Sequence, residues 1–468
     1  MTGGGSTMLT VNQQSIDALR MQVKGPIIGP QDAEYEQARR VYNAMIDRRP
    51  ALIARALDDQ DVAALVNFAR ENKIELAVRG GGHHGAGLGV WDDALVIDLS
   101  LMRRIDVDPR ARTVWVQGGC TLGDIDQATH PYGLAVPTGI NSTTGIGGLA
   151  LGGGFGHLTR KYGLTIDNVL AVEMVLADGT RVKASEAQNR DLYWAVRGGG
   201  GNFGVVTRFQ FRLHPAGTVI AGPTIWPLEK TSQVMHFYRQ MMDQAPEDLN
   251  GILIMHTIPP APPFPEHLHL QKVCGIVWCY TGPAKQADQV LDPIRSYESP
   301  AFVGVTSMPF PVLQAATDAL YPPGLQWYWR SDFFDELSDA AVEQFAQLAP
   351  TLPTPHSRIL LFPINGAAAR VGSADTPFAY RHARFSQVIV GVDPDPLQAE
   401  RISSWAAQTW EALHPHSSGG AYVNFMMSEG EARIRASYGA NYARLSQIKA
   451  RYDPDNLFHL NQNIPPAR

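Results

Sequence analysis

Four glycine-rich runs in the first half of the chain constrain its fold more than any other feature. They are Gly80–Gly89 (within "ELAVRGGGHHGAGLGVWDDALVIDLS"), Gly118-Gly119, Gly145–His157 ("GIGGLALGGGFGH") and Gly198–Gly204 ("GGGGNFG"). Glycine loses more conformational freedom on folding than any other residue. A chain therefore concentrates it where the backbone must approach a neighbour closely or take positive φ. Each run stands beside the end of a short apolar stretch that reads as a buried strand; "IELAV" and "ALVIDL" flank the first. Tight turns alone account for one such run. Four fit better with a long polar ligand laid across several loops, whose backbone N–H groups make anion-binding nests for a pyrophosphate.

Two of the runs match the dinucleotide fingerprint by letter: Gly199-x-Gly201-x-x-Gly204, and Gly145-x-Gly147-x-x-Ala150 in its looser form. The fingerprint has physical content only between a strand and a following helix, with an acid about 20 residues on. The first match follows a helix-like segment and precedes a strand, and the second follows a loop containing Pro137. A nicotinamide-binding Rossmann unit is not expected; a dinucleotide in another geometry is.

Composition narrows the function class. The chain has 468 residues, 44% hydrophobic and 18% charged, which suits a soluble globular protein of two or three domains. No run approaches the roughly 20 apolar residues of a membrane span. The start "MTGGGSTMLTVNQQS" has neither the basic opening nor the apolar core of a secretory leader. With a net charge of −6 and no basic cluster, neither nucleic acid nor a membrane surface is an expected partner. The three cysteines, Cys120, Cys274 and Cys279, have no metal-ligand spacing. They read as reduced thiols of a cytoplasmic protein, with no metal site. Cys274 and Cys279 lie five apart in what reads as one strand and would point to opposite faces, which argues against a local disulfide.

The chain divides into three parts. Residues 1–215 alternate short strands with brief helices. Asp58 to Asn72 has Val62, Leu65, Val66 and Ala69 at helical spacing behind acidic capping residues, and hairpins turn at Asp108-Pro109 and Asp178-Gly179. "NRDLYWAVRGGGGNFGVVTRFQFRLHP" reads as helix, glycine turn and a strand ending at Pro215. Over 216–420 glycine thins and proline clusters. Strands such as "GILIMHTI" and "RILLFPI" alternate with helices such as "SDAAVEQFAQLA", predicting an antiparallel sheet backed by helices. The tail, 421–468, reads as a strand followed by an amphipathic helix.

Four segments carry a specific resemblance. "VRGGGHHGAG", "GLAVPTGINSTTGIGGLALGGGFGHLTRKYGLTIDNV", "DLYWAVRGGGGNFGVVTRF" and "RYDPDNLFHLNQNIPP" occur in the order found in the berberine-bridge-enzyme-like flavoprotein oxidases. That family belongs to the vanillyl-alcohol-oxidase superfamily, and the likeness runs from about residue 35 to the C-terminus. It implies an α+β fold: a PCMH-type FAD-binding domain of two subdomains, a substrate domain whose antiparallel sheet covers the isoalloxazine ring, and a tail that returns to the FAD domain. In the family the histidine after the first glycine loop bonds covalently to the flavin. Here it is His83, preceded by Arg79, Gly80, Gly81 and Gly82.

The resemblance implies further FAD contacts. From the first loop come His84, which either supports the loop or touches the cofactor, with Gly85 and Leu88. From the second come Thr138, Gly139, Asn141, Ser142, Thr144, Gly145, Gly147, Gly148, Gly152, Gly153, Gly156 and His157. Asp167 and Asn168 serve either the adenosine end or the local turn. Gly200, Asn202, Gly204, Val205 and Val206 come from the last glycine run, and Asn461 and Gln462 close from the tail. Many family members carry a second tether, a cysteine, where this chain has Asn141, so a single covalent bond is expected. Thr144 falls on the oxygen-access side of the ring, where small β-branched side chains go with oxidases.

Alcohol oxidation by a flavin needs a base within hydrogen-bond reach of the substrate hydroxyl. "AYVNFMM" resembles the family's Y-x-N-Y strand. Tyr422 and Asn424 match, and Phe425 replaces the second tyrosine. Read as a strand, Tyr422 and Asn424 share one face, beside the flavin, and Phe425 faces the other way. Tyr422 is the candidate base, against a structural role. "QWYWRSDFF" supplies Arg330 and the aromatics Trp327, Tyr328 and Trp329, at least one of them core packing. "PFAYRHARF" supplies Tyr380, Arg381 and His382. Arg330 and Tyr380 join Tyr422 as candidate catalytic groups.

The expected activity is oxidation of an alcohol, phenol or sugar hydroxyl of a small molecule by hydride transfer to flavin N5. Dioxygen reoxidises the flavin and gives hydrogen peroxide. An oxygenase working through a flavin-N5-oxygen species is the enzyme rival, and a flavin-carrying binding protein with little turnover is the rival from another class. Substrate identity and oligomeric state are open.

Overall fold

The computed structural model describes residues 13–468. The expectation that the first residues form no secretory leader rests mainly on residues 1–12, outside the described residues. The fold is α+β, as expected, and is built on three main sheets.

The first sheet orders its strands Ile27–Ile28, Leu52–Arg55, Leu95–Asp98, Leu76–Arg79, and the last three run parallel. Parallel neighbours need a crossover. The helix Asp59–Asn72 carries the chain from Leu52–Arg55 across to Leu76–Arg79, and the first glycine loop leads from there to Leu95–Asp98; the helix is opened by the Asp58 side chain, which accepts the N–H groups of Gln60 and Asp61. Val62, Leu65, Val66 and Ala69 are buried under it as their spacing predicts. The second sheet is antiparallel, and Val205–Arg212 lies between Thr113–Gln117 and Val169–Val175. Both predicted hairpins form here. The strand expected to reach Pro215 stops at Arg212, and His214–Pro215 pairs separately with Leu134–Ala135.

The third sheet has eight antiparallel strands between Thr218 and Asp393. From its middle to one edge the order is Leu249–Thr257, Arg358–Pro363, Phe385–Asp393, Gln326–Phe334. Alternation divides its faces. Ile359, Leu361 and Ile389 pack with helix residues Val234, Val342, Phe345 and Trp405 in one core. Leu360, Phe362, Val388 and Val390 point the other way, toward the glycine loops. Cys274 and Cys279 fall into two different cores, as their spacing predicts.

The tail differs from expectation. It holds two helices, Glu431–Tyr438 and Tyr442–Tyr452, and no strand. The segment expected to be a strand is a 3₁₀ turn, Val423–Phe425, in which the Phe425 N–H bonds the Tyr422 carbonyl at 2.8 Å. The Lys449 ammonium is buried and donates to the Asn202 carbonyl (2.6 Å), the Phe458 carbonyl (2.9 Å) and Asp453 (2.6 Å). Asn202 in turn donates to the Gln462 carbonyl and accepts the Ile464 N–H. The tail is thereby fastened over the last glycine run. Among the described residues no helix is long and apolar enough to cross a membrane.

Candidate functional site

The glycine loops, the open face of the eight-stranded sheet and the tail enclose a cavity of about 300 Å³. Two loops meet there without side chains between them. A Cβ on Gly81 would lie 2.4 Å from the Gly145 nitrogen, and one on Gly145 would lie 2.2 Å from the Gly81 nitrogen. Real Cβ atoms do not approach that closely, so both positions require glycine. The contact sets the loop that carries His83 against the loop that carries Thr144.

His83 lines the cavity, its ring stacked on Tyr42 at 3.9 Å and 19°. Burial brings its pKa down to about 4, against an opposing bond to the Thr143 backbone, so the imidazole is neutral at pH 7. His84 is also brought to about 4 by burial. The Ala86 N–H donates to its Nδ1 at 3.2 Å, which leaves the proton on Nε2 and makes the ring a donor rather than a base.

Tyr422 lines the cavity, and its hydroxyl is hydrogen-bonded within the protein. It accepts the Gly154 N–H and the Asn424 side-chain amide, each at 2.8 Å. Burial raises its pKa above the usual tyrosine value, and those two donors partly oppose the rise. In a 3₁₀ turn side chains at i and i+3 eclipse. Phe425 therefore stands beside Tyr422, with ring centroids 4.9 Å apart, and also faces the cavity. This corrects the expectation of an outward-facing Phe425: the alternation argument fails because there is no strand.

Of the residues expected to contact FAD, Arg79, Gly80, Gly82, Leu88, Gly139, Asn141, Thr144, Gly147, Gly148, Gly200, Gly204, Val205, Val206, Asn461 and Gln462 also line the cavity. Arg79 is committed to Asp98 at 2.8 Å behind the loop. Asn141, at the missing cysteine's position, accepts the Thr317 hydroxyl. Cys120 is fully buried outside the cavity wall.

Other expected residues lie behind the wall. Asp167 is gripped by Arg381 (2.7 and 2.8 Å) and accepts the Leu164 N–H, while Asn168 donates to the Tyr162 and Leu164 carbonyls; they serve the local turn. Thr138 bonds Gln314, Ser142 bonds Asp318, and Asn202 bonds the tail. Gly85 packs on Met427 and Trp329, Gly152 on Asn424, Gly153 on Phe378 and Gly156 on the Thr138 carbonyl. His157 is 5% exposed and away from the cavity. Two catalytic candidates are likewise displaced. Arg330 pairs with Glu429 at 2.8 Å, and the Tyr380 hydroxyl donates to the Ala436 carbonyl while its ring stacks on Phe333. Neither reaches the cavity.

The remaining wall was not expected from local sequence. Tyr42, Phe155, Arg358, Leu360, Phe362 and Tyr438 all line it. Trp327 and Trp329 line it too, whereas Tyr328 does not. Alternation along "RILLFP" places Arg358, Leu360 and Phe362 on one face, and a charge heading an apolar face was the available signal.

FAD fits these residues. Interlocked glycine backbones give a polar, side-chain-free floor, and aromatic side chains give an apolar roof. The Asn461 Oδ1 and the Tyr438 hydroxyl are buried in the wall with no partner among the described residues, as expected of groups that hydrogen-bond a bound cofactor. Among the described residues no carboxylate lines the cavity.

Comparison with known proteins agrees. Residues 50–185 match the model of an FAD-binding domain, and residues 421–465 match that of berberine and berberine-like proteins. An FAD-linked oxidoreductase of Dictyostelium discoideum is 31% identical over 461 residues, 97% of this chain and 98% of that protein. The (R)-6-hydroxynicotine oxidase of Paenarthrobacter nicotinovorans is 39% identical over 197 residues, 42% of this chain and 43% of that protein. The crystal structure of 6-hydroxy-D-nicotine oxidase from Arthrobacter nicotinovorans superposes with a TM-score of 0.85 at 24% identity, covering 95% of this chain and 98% of that one.

Proposed function

The chain belongs to the berberine-bridge-enzyme-like FAD-linked oxidoreductases, and from that premise we propose an oxidase whose flavin is bound covalently through His83 alone. Its substrate is a small molecule with an alcohol, phenol or sugar hydroxyl, dioxygen is the final acceptor, and hydrogen peroxide is the by-product. When bound, the flavin would supply the redox chemistry, accepting a hydride equivalent from a C–H bond of the substrate and passing the electrons to dioxygen.

The observation that carries this reading is the neutral His83 imidazole on the cavity wall, stacked on Tyr42 at the end of a glycine loop that has no room for a Cβ at Gly81. A neutral ring nitrogen is the form able to make a new covalent bond. The wall has Asn141 where a second tether would stand, which supports a single bond.

Tyr422 takes the substrate hydroxyl proton. With no carboxylate on the wall and His84 protonated at Nε2, its oxygen is the group suited to the task. The Gly154 N–H and the Asn424 amide stabilise the phenolate when it forms. Phe155, Trp327, Trp329, Phe362 and Phe425 exclude water from the reacting atoms. Thr144, small and β-branched, leaves room for dioxygen beside the ring.

Anaerobic mixing with a panel of alcohols, phenols and sugars tests the reading, with peroxide release followed in air. Bleaching of the flavin and stoichiometric peroxide are expected for at least one class. A protein without flavin, or product carrying oxygen from labelled dioxygen, would contradict it.

A further inference from the structure

Four arginines among the described residues are buried, and three have evident partners. Arg79 pairs with Asp98, and Arg381 with Asp167. Arg160 donates to the carbonyls of Met242, Ala245, Pro246 and Leu249 and to the Asn365 side chain, closing the end of the helix Thr231–Gln244. Arg358 is different. It is 7% exposed, and no ion pair or side-chain hydrogen bond satisfies its guanidinium among the described residues; its Nε is buried without a partner. Its guanidinium stacks on the Tyr321 ring, 3.6 Å from the centroid.

Arg358 also lines the cavity. It lies on the open face of the eight-stranded sheet, in register with Val390, which in turn faces Trp329. The neighbouring groups leave its charge uncompensated. His256 is held neutral by burial and by the Arg358 charge itself. Tyr42 is held as a phenol by burial, its hydroxyl given to the Tyr321 carbonyl. Asp318, whose charge reaches Tyr42, is bonded to Ser142.

Burying an unpaired cation is costly, and aromatic stacking recovers only part of that cost. Such a group persists where its counter-charge arrives with a ligand. We infer that Arg358 is the substrate-anchoring residue of this cavity and that the substrate carries a carboxylate on an aromatic or apolar body. The guanidinium fork matches a carboxylate, and Trp327, Trp329 and Phe362 accommodate the body. This rests on the proposed oxidase reading and narrows its substrate to organic acids.

Benzoate and its neutral isostere benzamide are suitable probes, titrated into the protein as purified, with binding read from the flavin absorption band and from tryptophan fluorescence. Benzoate is expected to bind at least about tenfold more tightly than benzamide. Arg358→Gln is expected to bind the two alike while keeping its colour. If Arg358→Gln does not fold, Arg358→Lys takes its place, with benzoate weakened about tenfold and benzamide unchanged. Equal or absent binding of both probes by the wild type overturns the inference. So does a benzoate preference that survives Arg358→Gln, or a benzoate affinity unchanged in Arg358→Lys. A colourless protein contradicts the oxidase reading instead, and tryptophan fluorescence still reports on Arg358.

Discussion

The His83 imidazole lies on the Tyr42 ring, centroids 3.9 Å apart, while the Tyr42 hydroxyl is fixed to the Tyr321 carbonyl. The ring proposed to carry the flavin is thus braced from the substrate-sheet side of the cavity. Tyr42→Leu removes both the brace and the bond. It is expected to cost about 2–4 kcal/mol of stability and to leave a fraction of the purified protein without covalent flavin. Thermal melting and the ratio of bound to free flavin check this.

The Tyr422 oxygen accepts two N–H donors, yet burial holds its pKa above the ordinary tyrosine value. A base with a raised pKa is populated only as pH rises. The rate of anaerobic flavin reduction should therefore climb with pH through the alkaline range instead of levelling off near neutrality. Tyr422→Phe should lower that rate by about 10²–10⁴-fold. Asn424→Leu removes one donor, so its profile should move further to the alkaline side. Stopped-flow reduction across pH tests all three.

The Gly81–Gly145 contact is reciprocal. Gly145→Ala and Gly81→Ala should each cost about 1–3 kcal/mol and sharply reduce flavin incorporation, because either Cβ pushes the His83 loop away from its partner. Once one substitution has separated the loops the second costs little, so the double variant should fall well short of additivity. Chemical denaturation of the three variants measures this.

Burial brings His84, His157, His214 and His256 down to about 4 from 6.5. Between those values the unfolded chain binds more protons than the folded one, so stability rises with pH across the window. The contribution is complete above about pH 6.5 and is lost progressively as pH falls toward 4. For His157 alone it amounts to about 3 kcal/mol. Melting temperatures should be flat above neutrality and fall steeply from pH 6.5 to 4, with a shallower fall in His157→Gln.

Local pattern made much of the fold legible. Helical spacing behind Asp58, the Asp-Gly turn at Asp178 and the opposite faces of Cys274 and Cys279 all reflect interactions within a few residues. The glycine floor was legible too, since close backbone contact leaves only one residue type. Tyr422 to Phe425 was misread because a four-residue run cannot distinguish alternation from a single turn. Arg330 and Tyr380 were misplaced, and Arg358 and Tyr42 were missed, for a different reason. Which strand faces land on the cavity depends on the pairing of Arg358–Pro363 with Phe385–Asp393 and of that strand with Gln326–Phe334, contacts between distant parts of the chain.

Acid precipitation of the purified protein shows directly whether His83 holds the flavin. The yellow colour is expected to stay with the precipitated wild-type chain and to move to the supernatant for His83→Ala. A flavin that washes free of the wild type, or stays with His83→Ala, would contradict it.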